Sequence, residues 1–95
     1  MDDDRVGTVA GILHQAAETH HVVFAISDGA DDDWATWYSD WLVNLSELPS
    51  TLGSRPARSE LTWLLVQCNK DFVAGGSEGS WETDYARELL RRFGS

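Results

Sequence analysis

Residues 4–26 read DRVGTVAGILHQAAETHHVVFAI, and the spacing of their apolar side chains decides the fold class. The side chains that share this spacing, at steps of three and four residues, are Val6, Val9, Ala10, Leu13, Ala17, His20 and Phe24. Because an α-helix turns once every 3.6 residues, such steps place them on one stripe of a helix. The stretch therefore predicts a helix over about residues 5–26 with one buried face.

The same spacing continues in three further segments, over about residues 33–48, 55–73 and 81–93. Pro49 is expected to stop the second helix, and Pro56 is expected to occupy the first turn of the third. Ser80 is expected to cap the fourth helix, which should end at Gly94. The buried stripe of the second helix is predicted to be Trp34, Trp37, Tyr38, Trp41, Leu45 and Leu48. That of the third is predicted to be Ala57, Leu61, Leu64, Leu65, Cys68 and Phe72.

Length and composition limit the architecture further. The chain has 95 residues, of which 42 % are hydrophobic and 24 % charged, a balance typical of one folded soluble domain. No segment shows the sustained two-residue alternation of a half-buried strand. The sequence therefore predicts an all-α, compact, four-helix bundle-like single domain over residues 1–95, in which the long connection over 49–55 is the expected irregularity.

The charge is concentrated in the first half of the chain. Residues 1–48 hold ten of the 16 acidic residues but one of the seven basic ones, so the net charge of −9 resides there. Such a field repels phosphate backbones and anionic lipids, which argues against nucleic acid and membranes as partners. Two acidic runs, residues 2–4 and 31–33, precede predicted helices, where carboxylates favour the free amide groups. Capping therefore explains the acidic runs without a function, although an acidic DNA-mimicking inhibitor is an alternative.

Cysteine usage and the amino terminus favour the cytoplasm. Cys68 is the single cysteine, so no internal disulfide can form, and Met1 is followed by three aspartates instead of a basic signal segment. Cys68 also falls on an apolar helix face, where burial suppresses thiolate formation and makes a nucleophile improbable. No glycine-rich phosphate loop with its lysine is present. We therefore expect no catalysis and no cofactor.

A set of metal-ligand side chains occurs on the first helix. His14, Glu18 and His21 are four and three residues apart and project from one flank of that helix. Together they extend over two turns, about 10 Å along the axis, which is too far for one ion to bind all three. A bundle-type metal site would also require histidines and carboxylates from other helices. We therefore predict no metal site in an isolated chain, and name these three residues as the candidates if one exists.

Five tryptophans in 95 residues are the strongest compositional anomaly. The second helix carries more aromatic surface than one stripe of a small bundle can fully bury. The stripe as a whole is expected to belong to the core, but part of its surface is expected to line a groove or to meet another chain. His20 is predicted to be a structural histidine held between helices one and two. The candidate groove around it comprises His20, His21, Asp28, Trp34, Trp37, Tyr38 and Trp41.

The third helix is apolar over more of its circumference than one core needs. Trp63, Val66 and Val73 lie away from its buried stripe. Because exposed apolar surface of this kind is typical of interaction sites, these residues are the candidate interface with a protein partner or a second copy of the chain.

One block of the sequence resembles a known group of proteins. The segments His20–Phe24, Asp28–Asp31 and Trp34–Tyr38 are similar to a His-His, Asp-Gly, Trp-x-x-Trp-Tyr block found in small bacterial helical proteins to which no activity is attached. The resemblance covers the first two helices and implies only that residues around their connection matter.

Three functions remain open from the sequence. The first is a cytoplasmic helical binding module that acts through protein–protein association and has no catalysis of its own. The second is a small-ligand or metal-binding bundle with its site where helices one and two meet. The third is the acidic inhibitor of a basic target.

Overall fold

The backbone follows the helical spacing of the sequence closely. The computed structural model describes residues 4–25, 33–75 and 80–94, and in this part of the chain it contains five α-helices and no strand. The helices are α1 (Val6–Val23), α2 (Trp34–Asn44), α3 (Leu48–Leu52), α4 (Arg58–Gly75) and α5 (Trp81–Phe93). The all-α class is confirmed, with one helix more than the spacing predicted.

The additional helix, α3, lies in the segment predicted to be irregular. Pro49 occupies its first turn instead of ending α2, because a proline in the first turn loses no intrahelical hydrogen bond and its fixed φ suits the helix. Leu48 and Leu52 are one turn apart and both are fully buried. Gly53 then ends the helix with a φ of 80°, in the left-handed region that favours glycine. Proline and glycine therefore delimit a short anchored turn.

The second helix ends at Asn44 rather than near residue 48. The hydroxyl of Ser46 donates to the carbonyl of Leu42 at 2.6 Å and accepts from the amide of Leu48 at 3.1 Å. A serine side chain can replace backbone hydrogen bonds in this way and turn the chain out of a helix. The turn leaves Leu45 71 % exposed, so the prediction that Leu45 is buried is wrong.

The start of α4 is also later than predicted. Pro56 restricts the residue before it to extended backbone, so residues 55–57 are not helical. The carbonyl of Ala57 accepts the amide of Leu61 at 3.0 Å and so precedes the helix as a cap position. Ala57 is exposed, and its predicted burial is wrong.

The capping predictions had mixed outcomes. The hydroxyl of Ser80 accepts from the amide of Thr83 at 3.2 Å, and Gly94 follows the last helical residue of α5, as predicted. Asp33 directly precedes α2, but its carboxylate makes no capping hydrogen bond. The residue before α1 is Arg5, and its side chain donates to the carbonyl of Leu52 at 3.0 Å, which joins α1 to α3.

The helices share one apolar core. Leucines with 1 % exposure or less come from all five helices: Leu13, Leu42, Leu48, Leu52, Leu61, Leu65 and Leu89. Among the described helices the most extensive contacts join α1 to α5 and α2 to α4, whereas neighbours in sequence contact each other less. No described helix combines the length and apolar character that crossing a bilayer requires. The packing of both α2 and α5 on α4 decides where the aromatic side chains meet.

Candidate functional site

His20 occupies the contact between α1 and α2, as the sequence predicted. Its side chain is 7 % exposed, and its ring centroid lies 4.5 Å from that of Phe24, 5.0 Å from that of Trp37 and 5.2 Å from that of Tyr38. These separations are those of packed aromatic rings. His21 is exposed, and Asp28 lies outside the described residues. The predicted groove around His20 is therefore filled by its own rings.

The four aromatic side chains of α2 are half-buried and lie in three different surroundings. Trp37 packs on His20. Trp41 borders a wide depression against α1 that is lined by Gly7, Gly11 and Leu45 among others. Trp34 and Tyr38 line a groove together with residues of α4 and α5. Tyr38 connects the first and third of these surroundings, since its ring also contacts those of His20 and Trp37, whereas Trp41 borders a separate depression.

We call the groove that Trp34 and Tyr38 line with residues of α4 and α5 the aromatic groove. Its lining residues come from α2, α4 and α5: Trp34, Tyr38, Asn69, Phe72, Val73, Trp81 and Tyr85. Its volume is about 340 Å³, within the range typical of ligand pockets. Trp34 and Tyr38 are predicted site residues, whereas the lining residues of α4 and α5, apart from Val73, were not predicted as site residues.

Two ring pairs on different helices bound the aromatic groove. Trp34 and Tyr38 of α2 are four residues apart, with ring centroids separated by 5.8 Å and ring planes at 90°. Trp81 and Tyr85 of α5 have the same spacing, with 5.1 Å and 77°. This repeated Trp-x-x-x-Tyr spacing is a sequence signal that could have identified both walls.

The polar groups of the aromatic groove are neutral. Burial raises the pKa of Tyr85 to about 12 and also raises the pKa of Tyr38, so both phenols stay protonated near neutral pH. The Tyr85 hydroxyl donates to the side-chain carbonyl of Asn69 at 3.4 Å, a long hydrogen bond. Among the described residues, none that lines the groove is ionised at neutral pH.

A second, acidic depression adjoins the aromatic groove and shares Phe72 and Tyr85 with it. Its volume is about 310 Å³, and its other lining residues are Cys68, Asp71, Gly75, Asp84, Arg87 and Glu88. Burial is the main cause that raises the pKa of Cys68 to about 11, so the thiol stays protonated near neutral pH, as the sequence suggested. Three carboxylates and one guanidinium therefore line this depression.

The candidate metal ligands of α1 make a different arrangement. Nε2 of His14 lies 2.6 Å from a carboxylate oxygen of Glu18, and Nδ1 lies 3.1 Å from one of Glu82 on α5. Because the two carboxylates contact opposite nitrogens of one ring, they do not converge on a shared ion. In the described residues no three side chains of the metal-binding types form a cluster, and His21 does not join the other two. Glu82 was not identified from the sequence.

The His14 contacts make stability depend on pH. The hydrogen bond with Glu82 and the charge of Glu18 raise the pKa of His14 above 6.5. Because the raised pKa belongs to the folded state, the stabilisation is fully present below pH 6.5 and is lost as the pH rises through the folded pKa. We expect the urea midpoint of wild type minus that of His14→Gln to decrease as the pH is raised from 5.5 to 8.5.

His21→Gln is the matched control, because His21 is also an exposed histidine of α1. The difference between wild type and His21→Gln should change less over the same range. Equal pH dependence of the two differences would contradict the assignment of the effect to His14.

The predicted interface residues of α4 also lie in different surroundings. Trp63 is 53 % exposed, and Cζ of Arg92 lies 5.2 Å from its ring centroid, a cation–π contact. Val66 packs against the core, whereas Val73 is 74 % exposed and lines the aromatic groove. Lys70 is four residues after Val66 and three before Val73, so it interrupts the stripe between them. Of the three, Val73 is the one that adjoins a groove.

Comparison with known protein families, with curated proteins and with solved structures found no match to this chain. The resemblance of the block from His20 to Tyr38 to small bacterial proteins stays a prediction. The geometry of the chain's own residues is therefore the basis for its function.

Proposed function

We propose that this chain is a non-catalytic binding module that associates with a protein partner through the aromatic groove. The observation that supports the proposal is the convergence of Trp34, Tyr38, Trp81 and Tyr85 from two helices around one open groove. Tryptophan and tyrosine are the side chains that most often dominate the energy of protein interfaces. A groove of this kind can take one anchoring side chain of a partner.

The accessible rim supports docking by a protein segment. Val73 is 74 % exposed beside the half-buried rings of the groove and the buried ring of Tyr85, so apolar surface continues from the groove onto α4. Covering such surface contributes about 25 cal/mol per Å² of apolar area removed from water. The net charge of −9 disfavours nucleic acid and anionic membranes. A protein, or a second copy of this chain, fits these features, and we expect the association to take place in the cytoplasm.

Peptide selection with a blocked groove tests the proposal. Random displayed peptides are selected on the immobilised protein, and their affinities for wild type and for Val73→Trp are compared. The tryptophan is chosen to fill the groove, and because it is uncharged it should block a cationic and an apolar anchor alike. We expect roughly tenfold weaker binding by the variant. Val22→Trp is the matched control, because Val22 is 73 % exposed on α1, away from the groove.

Self-association is measured in parallel by light scattering. If the partner is a second copy, the wild-type mass exceeds that of a monomer, and Val73→Trp lowers it. Trp63→Glu is measured beside it, because a lower mass in that variant alone would place the contact between copies at Trp63 instead of at the groove. Peptides that bind wild type and Val73→Trp equally, or a monomer that selects no peptide, would show that the groove is not a docking site.

A further inference from the structure

We infer that the partner's anchoring group in the aromatic groove is a cationic side chain, a lysine or arginine of a basic segment. This inference rests on the proposed function and goes further by naming the chemistry of the occupant. Aromatic walls, a set of described lining residues that contains no basic group, and neighbouring carboxylates together favour a cation.

The walls of the groove suit a cation. Ring faces carry negative electrostatic potential, and tryptophan and tyrosine attract a cation within about 6 Å of the ring centroid. The pairs Trp34–Tyr38 and Trp81–Tyr85 present rings at steep angles to one another, so the groove is bounded by more than one orientation of ring. This arrangement, with rings from two helices, resembles the aromatic cages that bind alkylated ammonium groups.

The charges around the groove have the right sign. Of the residues that the structure describes along the groove, none is basic. The adjoining depression brings Asp71, Asp84 and Glu88 to the side that shares Phe72 and Tyr85. Asp84 and Glu88 contact Arg87 and Arg91 of their own helix at 3.8 and 2.6 Å. Asp71 makes no salt bridge among the described residues, so one carboxylate beside the groove has no basic partner in that part of the chain.

The apolar part of the groove suits the stem of a lysine or arginine. These side chains carry three or four methylene groups that bury against apolar surface while the charged head stays near water. Phe72 and Val73 provide that surface on α4. A purely apolar anchor would gain the same contact but nothing from the carboxylates. The groove and its acidic neighbour together therefore favour a basic side chain over an apolar one.

The chain already contains one contact of this chemistry. Cζ of Arg92 lies 5.2 Å from the ring centroid of Trp63, which is not among the lining residues of the groove. Trp63 therefore has an internal cation, whereas no basic residue in the described part of the chain lines the groove that contains Trp34 and Trp81. This contrast provides an internal control, because an added cation should affect Trp34 and Trp81 more than Trp63.

The inference is tested by titrating capped tripeptides, Ac-Gly-Lys-Gly-NH₂ and its norleucine analogue, and following the tryptophan indole N–H signals by NMR. Norleucine has a similar apolar stem without the charge. We expect the lysine peptide to shift the signals of Trp34 and Trp81, and to bind roughly three- to fivefold more tightly than the norleucine peptide. The signal of Trp63 should move less.

Charge variants at the rim separate a cation from an apolar anchor. Val73→Glu should tighten binding of the lysine peptide and Val73→Lys should weaken it, each by roughly two- to fivefold, because the new charge lies at the groove. Val22→Glu and Val22→Lys carry the same charges at a matched exposed valine and should leave the affinity within error of wild type.

Equal binding of the two peptides, or equal loss with Val73→Glu and Val73→Lys, would overturn the cationic occupant. So would the absence of any shift of Trp34 and Trp81 at tens of millimolar peptide. The proposed function would survive each of these results if selected peptides still lost affinity for Val73→Trp. The two proposals therefore fail on different measurements.

Discussion

Leu89→Ala is expected to lower the free energy of unfolding by about 2–5 kcal/mol, the usual cost of removing a fully buried leucine. Leu89 is fully buried on α5, one turn after Tyr85, so the variant leaves a cavity in the core beneath a wall of the aromatic groove. For a domain of this size the expected loss is a large share of a total of about 5–15 kcal/mol. Urea denaturation followed by circular dichroism measures it.

Leu45→Ala is the matched control for this substitution. Leu45 is 71 % exposed beyond the end of α2, so the same chemical change should cost less than about 0.5 kcal/mol. Similar losses for the two variants would contradict the placement of Leu89 in the core.

His20→Ala is expected to lower the free energy of unfolding by about 2–3 kcal/mol, because it removes a buried ring from an aromatic cluster. The ring contacts Phe24, Trp37 and Tyr38 at centroid distances of 4.5–5.2 Å. Thermal and urea denaturation at one fixed pH measure the loss. The near-ultraviolet circular dichroism of the aromatic side chains should change with it.

His21→Ala controls for the composition of α1, because His21 is adjacent in sequence and exposed. We expect it to change stability by less than about 0.5 kcal/mol. His20→Phe retains a ring, so stability close to wild type would assign the effect to ring packing. A His20→Ala variant as stable as His21→Ala would show that His20 is not structural.

The long helices could be predicted from the sequence because each repeats its apolar stripe over several turns. The five-residue helix α3 could not, since Leu48 and Leu52 provide a single one-turn step, and Pro49 equally well indicates the end of one helix or the start of another. The early end of α2 depends on the Ser46 hydroxyl, whose hydrogen bonds leave no periodic signal.

The candidate site was less predictable than the fold. Trp34 and Tyr38 were identified because the second helix is unusually aromatic. Their meeting with Trp81 and Tyr85 depends on which helices pair in three dimensions, and periodicity within one helix carries no information on pairing. The contact of His14 with Glu82 could not be predicted for the same reason, since it depends on the packing of α1 on α5.

The packing of α1 on α5 and of α2 on α4 also has a consequence for how the chain acquires its structure. Each of these helix pairs joins partners that are separated by another helix or more along the chain. Such contacts require long loops to close before burial compensates for the lost chain entropy. A chain synthesised only as far as α2 therefore lacks the principal packing partners of both helices, so we expect stable structure only after α5 has been synthesised.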